Sequence, residues 1–150
     1  SGDGMPMAQF SRSRAASRLL QNAGMSDFRK LKVWQKAHAM ALHAHTTARR
    51  IRGQELVALR SQIVRSAMSI PANIVEGRNQ RGDPAFARYL RISIGSAAEL
   101  EYHLITARDV GAISPSDYLS LYTEISEVRM MLHGLVRNLE RSGKQTAHSR

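Results

Sequence analysis

Cysteine is absent from this 150-residue chain, and proline, aromatic residues and long apolar runs are scarce. Without cysteine, neither disulfides nor thiolate-bound metal ions can stabilise the protein. No apolar segment approaches the ~20 residues that a membrane-spanning helix needs, so a soluble protein is expected. With only four prolines and 5% aromatic residues beside abundant alanine, leucine and arginine, the composition favours a single all-helical domain.

Positive charge is the second feature of the composition. The formal net charge is +10 at neutral pH and the sequence pI is near 11.0. The first 82 residues contain 14 basic and four acidic residues, whereas the remaining 68 contain eight of each. Such an asymmetry favours a polyanionic partner, with nucleic acid considered before a membrane surface. Solubility combined with a disordered basic tail is the other explanation left open.

The first predicted helix extends from about Leu31 to Arg52 and ends at Gly53, a residue type that commonly terminates helices. Lys36, His43 and Arg50 are seven residues apart, so they form a basic ridge along one flank of this helix. The core stripe consists of apolar side chains three or four residues apart, namely Val33, Ala37, Met40, Ala44, Ala48 and Ile51.

Pro71 interrupts the second predicted helix, which extends from about Gln54 to Asn79. A proline inside a helix cannot donate to the carbonyl of Ala67 and costs ~3 kcal/mol or more unless the structure compensates. The apolar pattern continues in phase beyond the proline, so one kinked helix is predicted rather than two. The kink either lets the helix wrap around its neighbours or directs Asn73 and Glu76 towards a subunit contact.

An Asp-Pro pair and a Ser-Pro pair mark the starts of the last two helices. The Asp-Pro pair at 83–84 predicts an N-cap and first turn for helix three, which extends to Val110 and is capped by Gly111. The Ser-Pro pair at 114–115 starts helix four, whose apolar residues alternate steps of three and four through Leu139. Short connections between the helices predict antiparallel neighbours.

The predicted domain is bounded by two tails. Residues 1–27 lack periodicity and are predicted to be a disordered basic tail. Residues 28–141 form the four-helix bundle, and residues 142–150 form a second disordered tail. Within helix three, the small residues Gly95 and Ser96 predict the close approach of a neighbouring helix.

Three motifs in a fixed order carry a family resemblance. They are LKVWQKAH at 31–38, SIPANIVEG at 69–77 and IGSAAELEY at 94–102. With these motifs the chain resembles the 23S rRNA intervening-sequence protein family over residues 28–141. One such motif would be weak, whereas three in order are specific.

The resemblance implies an antiparallel, up-down-up-down four-helix bundle that assembles as a ring-like homo-oligomer, commonly a homopentamer, in the bacterial cytoplasm. A structurally similar relative, the accessory protein of diversity-generating retroelements, is basic and binds nucleic acid and a reverse transcriptase. That link is an analogy at the level of the fold. The sequence departs from the family pattern in helix one, where His38, His43 and His45 occupy positions that are also commonly acidic or neutral in the family. The charge of that face is therefore specific to this chain.

Basic residues of the first half supply the candidate nucleic-acid contacts. Lysine and arginine at these positions would contact phosphate groups, which gives affinity without reading sequence. In a symmetric oligomer the same contacts recur in every subunit and raise avidity. Trp34 occupies a helical position that favours packing over base stacking. The candidates are Lys32, Lys36, Arg49, Arg50, Arg52, Arg60, Arg78 and Arg81.

A buried polar network is the predicted role of a further set of residues. In it, Arg65 faces Glu76 or Glu101 across neighbouring helices. Such pairs fix the register of helices more often than they add stability. The members are Arg65, Asn73, Glu76, Glu99 and Glu101, beside the kink at Pro71.

Metal binding and catalysis have little support. The histidines at 38, 43 and 45 lack the i, i+4 spacing that lets two imidazoles meet one ion, so no metal site is expected. A hydrolase using Glu76 and Glu99 is the enzymatic hypothesis, but the chain lacks a nucleophile elbow, a phosphate-binding glycine loop and a paired histidine. No catalytic residue and no cofactor are therefore predicted.

The sequence thus predicts a non-enzymatic, cytoplasmic homo-oligomer that binds RNA or DNA through the nucleic-acid backbone, or scaffolds a ribonucleoprotein. The alternative is a structural or protein-interaction module whose basic surface meets an acidic partner protein. Salt-dependent binding to unrelated nucleic acids distinguishes the two hypotheses. No membrane partner is expected.

Overall fold

The computed structural model describes residues 27–149, and the predicted N-terminal tail therefore lies outside the described residues except for Asp27. The described part is all-helical and contains no strand, which confirms the all-helical part of the prediction. Short 3-10 turns at Phe28–Lys30 and Gln54–Leu56 precede the first two helices. The four helices are α1 (Lys32–Arg49), α2 (Val57–Arg78), α3 (Asp83–Asp109) and α4 (Pro115–His148).

One hydrophobic core joins the four helices. Each helix packs against the next in sequence and α1 also packs against α4, an arrangement consistent with a four-helix bundle. The predicted stripe of α1 is buried throughout, from Val33 to Ile51, and the repeat of α4 is buried at Leu121, Ile125, Val128 and Leu132. Periodic apolar residues therefore identified the core-facing side of both helices. The largest fully buried side chains include Met40, Ile63, Ile70, Ile74, Leu90, Leu100 and Leu104.

The helix starts follow the predicted cap chemistry in one case and depart from it in the other. At α4 the hydroxyl of Ser114 accepts a hydrogen bond from the backbone N–H of Asp117 at 3.0 Å, so the predicted N-cap is confirmed. At α3 the prediction was wrong, because Gly82 is the N-cap and Asp83 is already the first helical residue. The positive φ of Gly82, 85°, turns the chain into the helix one residue earlier. The Asp83 carboxylate then lies in the first turn, where it interacts favourably with the helix dipole.

Pro71 lies buried inside an uninterrupted α2. The prediction of one helix rather than two is confirmed, and the kink at Pro71 stays a prediction. Side chains donate to the two carbonyls that precede the proline ring. Asn73 Nδ2 donates to the carbonyl of Ser69 at 2.8 Å, and Ser93 Oγ of α3 donates to that of Ile70 at 2.9 Å. The bond from Ser93 ties the proline turn to α3, whereas the bond from Asn73 lies within α2.

The end of α4 differs from the sequence prediction. The chain remains helical through His148, where a tail was predicted from Ser142. Once a helix is formed, each added residue gains one backbone hydrogen bond, and no proline interrupts this segment. Residues 142–149 are all exposed, so the extension is helical without packing on the core.

Candidate nucleic-acid interface

The basic ridge of α1 is matched by carboxylates of α4. All three of its members lie close to acidic side chains of the last helix, so the ridge is largely neutralised within the fold. Side chains in these pairs are mostly a third to a half exposed, and such pairs contribute only about 0–1 kcal/mol each. The predicted contacts Lys36 and Arg50 are therefore already engaged. The pairs are Lys36–Glu127 at 2.7 Å, His43–Glu124 at 2.5 Å and Arg50–Asp117 at 3.4 Å.

Positive charge without such partners collects where α1 ends and α2 begins. Four guanidinium groups line two contiguous depressions on this surface. Within residues 27–149, none of the four lies within 4.0 Å of a carboxylate oxygen. We call this surface the arginine patch, and its members are Arg49, Arg52, Arg60 and Arg65.

Arg60 is the most fixed member of the patch. Its Nη1 donates to the carbonyls of Ile51 and Gly53, both at 3.1 Å. Gly53 has a φ of 111°, a conformation that favours glycine and turns the chain between α1 and α2. The side chain of Arg60 thus bridges two carbonyl groups of the segment that connects α1 and α2. Its other N–H groups take no part in these two hydrogen bonds.

The two depressions differ in their walls. The apolar depression, about 520 Å³, has a floor of Ala48, Val57 and Val64 and is bordered by Arg49, Ser61 and arginines 60 and 65. The polar depression, about 360 Å³, is lined by Arg49, Ile51, Arg52, Gly53, Gln54 and Arg60. Arg49 and Arg60 border both, so the two form one continuous surface.

The other predicted basic contacts lie outside the patch. Lys32 is exposed at the start of α1, and Arg81 is exposed after the end of α2. Arg78 is half-buried, with its guanidinium carbon 5.7 Å from the centre of the Phe86 ring. The 18 residues of α1 span about 27 Å, which separates Lys32 from Arg49. The eight predicted contacts therefore do not form a single surface.

The predicted polar network is divided among separate contacts. The expected pairing of Arg65 with Glu76 or Glu101 is not formed within the described residues, because Arg65 is exposed on the arginine patch. Glu101 instead accepts from Arg129 of α4 at 2.5 Å, and both side chains are more than two-thirds buried. Glu76 is exposed and accepts a hydrogen bond from Gln80, which follows the end of α2.

The remaining members have different partners. Glu99 lies 3.4 Å from His103, one turn away on α3. Asn73 donates to the hydroxyl of Ser69 at 3.0 Å, and that hydroxyl bonds to Ser96 of α3 at 2.8 Å. The close approach predicted at Ser96 is present, whereas a methyl group at Gly95 would meet no atom within 4 Å.

Sequence reasoning overlooked Arg129 and misplaced Arg65. The helical period was sufficient to place Arg65. Arg65 follows the buried residue Ile63 by two positions, which is a rotation of about 200° around the helix axis. Arg65 therefore had to point away from the core. The helical period could not predict the partner of Arg129, since that partner depends on how α4 aligns with α3.

In the part of the chain that the structure describes, no group of three histidine or acidic side chains could hold a metal ion. Among residues 27–149, no helix combines the length and the hydropathy that a bilayer span requires. What the surface offers is a set of arginines beside aliphatic side chains, which suits anionic ligands.

Fold and surface together define a helical protein of the four-helix-bundle type with a cationic patch. The chain belongs to the 23S rRNA-intervening sequence protein family, whose profile matches residues 29–134. The family resemblance drawn from the three motifs is thereby confirmed.

A solved structure supports the same assignment. The chain is similar to a protein of unknown function from the S23 ribosomal protein family of Bacteroides thetaiotaomicron VPI-5482, with 26% sequence identity and a TM-score of 0.66. The match covers 69% of this chain and 97% of that protein. Comparison with curated proteins gives no match.

Proposed function

We propose that this protein is a non-enzymatic, cytoplasmic nucleic-acid-binding protein that contacts the nucleic-acid backbone and scaffolds a ribonucleoprotein. The arginine patch is the observation that carries the proposal. Its four guanidinium groups lie on one surface, and in residues 27–149 none pairs with a carboxylate. Arginine binds phosphate through two parallel hydrogen bonds, and each neutralised phosphate releases counterions.

The proposed assembly is an antiparallel, up-down-up-down bundle arranged as a ring-like homopentamer. Contacts between the end of α2 and the beginning of α3 support the antiparallel order, since Gly77 lies against Phe86 and Tyr89. Exposed apolar side chains, such as Leu42, Leu119 and Met130, support self-association. Light scattering tests this part, and a monomeric mass would contradict it.

A ring would repeat the arginine patch in every subunit. Several weak phosphate contacts on one strand then act at a high effective concentration and raise the overall affinity. By the analogy drawn from the sequence, a reverse transcriptase is a candidate protein member of such a complex. The alternative function, in which the patch binds an acidic partner protein, uses the same charge complementarity.

The test compares two charge-matched variants. Arg49→Gln with Arg52→Gln removes two charges from the patch, and Lys36→Gln with Arg50→Gln removes two charges from the paired ridge. For a labelled single strand, we expect the first variant to lose at least about tenfold in affinity and its salt slope to fall by about 1.4 for each subunit that contacts the strand. The second should change affinity less than about threefold, because its cations are engaged by carboxylates.

Two results would contradict the proposal or part of it. Absence of binding to any nucleic acid at low salt would overturn it and favour the acidic protein partner. Equal losses in the two variants would overturn the assignment to the patch and leave only net charge as the cause. Sequencing of nucleic acid that co-purifies with the protein would identify a natural target.

A further inference from the structure

The polar depression is large enough to admit a phosphate group and is bordered by cations. Arg49, Arg52 and Arg60 border a volume of about 360 Å³. Arg60 is held there by two backbone carbonyls, so part of the ordering that phosphate binding requires is already present in the fold. A fixed guanidinium with free N–H groups binds phosphate with geometry as well as charge.

The apolar depression suits a different part of a nucleotide, the base. Its aliphatic floor includes Val57, which is 43% exposed, and arginines 49, 60 and 65 border it. A flat nucleobase can cover an aliphatic floor while stacking its face against a guanidinium plane. Phosphate binding alone gives no reason for apolar surface between arginines. The aromatic residues expected for base stacking are not needed at this site.

The two depressions share Arg49 and Arg60, so a phosphate bound in one would lie next to a base bound in the other. In a duplex the bases are paired and stacked inside the helix, and only an unpaired base can reach such a floor. We propose that the arginine patch binds single-stranded nucleic acid one nucleotide at a time, with the phosphate in the polar depression and the base over Val57. This inference depends on the proposed nucleic-acid binding and adds that the bound nucleic acid is single-stranded.

Glu55 is the acidic side chain beside the polar depression. A methyl group on Gly53 would lie 2.5 Å from Glu55 Oε1, which places this carboxylate at the edge of the phosphate position. The negative charge of Glu55 repels an anion at this position. Glu55→Gln is therefore expected to strengthen the binding of every anionic strand without changing the preference for unpaired bases.

The experiment measures the binding of three labelled probes at equal salt by fluorescence anisotropy. They are an oligothymidine strand, a duplex of equal length and a strand of abasic sugar-phosphate units, each about 20 nucleotides long to exceed the ~4–16-nucleotide sites of single-strand binders. The tested variant is Val57→Ser. Met68→Ser is the matched control, because Met68 is equally exposed on α2 but lies outside both depressions.

We expect oligothymidine to bind at least about fivefold more tightly than the abasic strand, the lower limit for stacking of one base. It should also bind more tightly than the duplex, despite the higher charge density of the duplex. Val57→Ser should remove most of this advantage and leave the affinity for the abasic strand unchanged. Met68→Ser should behave as the original protein does.

Equal binding of all three probes, with no effect of Val57→Ser, would overturn the single-strand assignment. In that case Arg49→Gln with Arg52→Gln would still weaken binding, and the proposed function would stand. Failure of all three probes to bind would overturn both proposals. Equal losses from Val57→Ser and Met68→Ser would overturn the assignment of the base to the apolar depression.

Discussion

Gly77 of α2 lies so close to Tyr89 of α3 that a methyl group on its α carbon would stand 2.7 Å from Tyr89 Cβ. The same methyl would lie 2.9 Å from the ring of Phe86 and 3.3 Å from its carbonyl oxygen. The Cβ of Tyr89 is fixed to the α3 backbone, so relief requires the two helices to separate. Gly77 therefore sets the distance between α2 and α3.

Gly77→Ala should lower the free energy of unfolding, because overpacking costs about 1–3 kcal/mol. Alanine normally gains about 1 kcal/mol over glycine in a helix interior, so we expect a net loss of up to about 2 kcal/mol. Gly95→Ala is the control, since a methyl group there meets nothing within 4 Å, and it should stabilise the protein. Urea unfolding measures both. Stabilisation by both substitutions would show that α2 and α3 separate at little cost.

Glu101→Gln should destabilise the bundle more than the loss of an exposed ion pair. The Nε of Arg129 is buried and has no hydrogen-bond partner within the described residues, so its guanidinium depends on Glu101. We expect a loss of about 1–3 kcal/mol, whereas Lys36→Gln in a half-exposed pair should cost less than about 1 kcal/mol. A double-mutant cycle with Arg129→Met isolates the coupling. A coupling near zero would contradict this account.

Helix positions and core-facing sides were predictable because both follow from local periodicity. The stripe from Val33 to Ile51 is buried as expected, and α2 continues through Pro71. Helix ends were less certain, since they depend on single hydrogen bonds. The first helix was predicted to reach Arg52 but ends at Arg49.

The candidate site was predictable only in part, because charge pairing depends on which helix faces which. The ridge containing Lys36 was correctly placed on one flank of α1, yet its neutralisation by Glu127 requires knowledge of α4. Arg60 was expected to bind phosphate, but its bonds to the carbonyl groups at 51 and 53 form only when the connection turns back. Local patterns identify the cations, and tertiary structure decides which remain available.

Thr47→Val should stabilise the protein. The Thr47 side chain is 1% exposed, and in residues 27–149 its hydroxyl makes no hydrogen bond. Valine has the same shape without the unsatisfied hydroxyl, so a gain of about 1–2 kcal/mol is expected. Thr46→Val is the control, because Thr46 is exposed and its hydroxyl donates to the carbonyl of Leu42 at 3.0 Å. Destabilisation by Thr47→Val would indicate that a partner or water satisfies the hydroxyl.

Removal of residues 142–150 should leave the stability of the bundle unchanged. The helical extension is exposed at every position from 142 to 149, and it has no side chain in the core. Thermal unfolding of the chain ending at Arg141 should therefore keep its midpoint, while the circular dichroism signal loses the contribution of the extra turns. A chain ending at Arg137 is the control. It lacks Leu139, which packs against the core, and Glu140, which pairs with Arg91, so its midpoint should fall. A lower midpoint for the chain ending at Arg141 would mean that the extension stabilises the bundle through contacts at its exposed face.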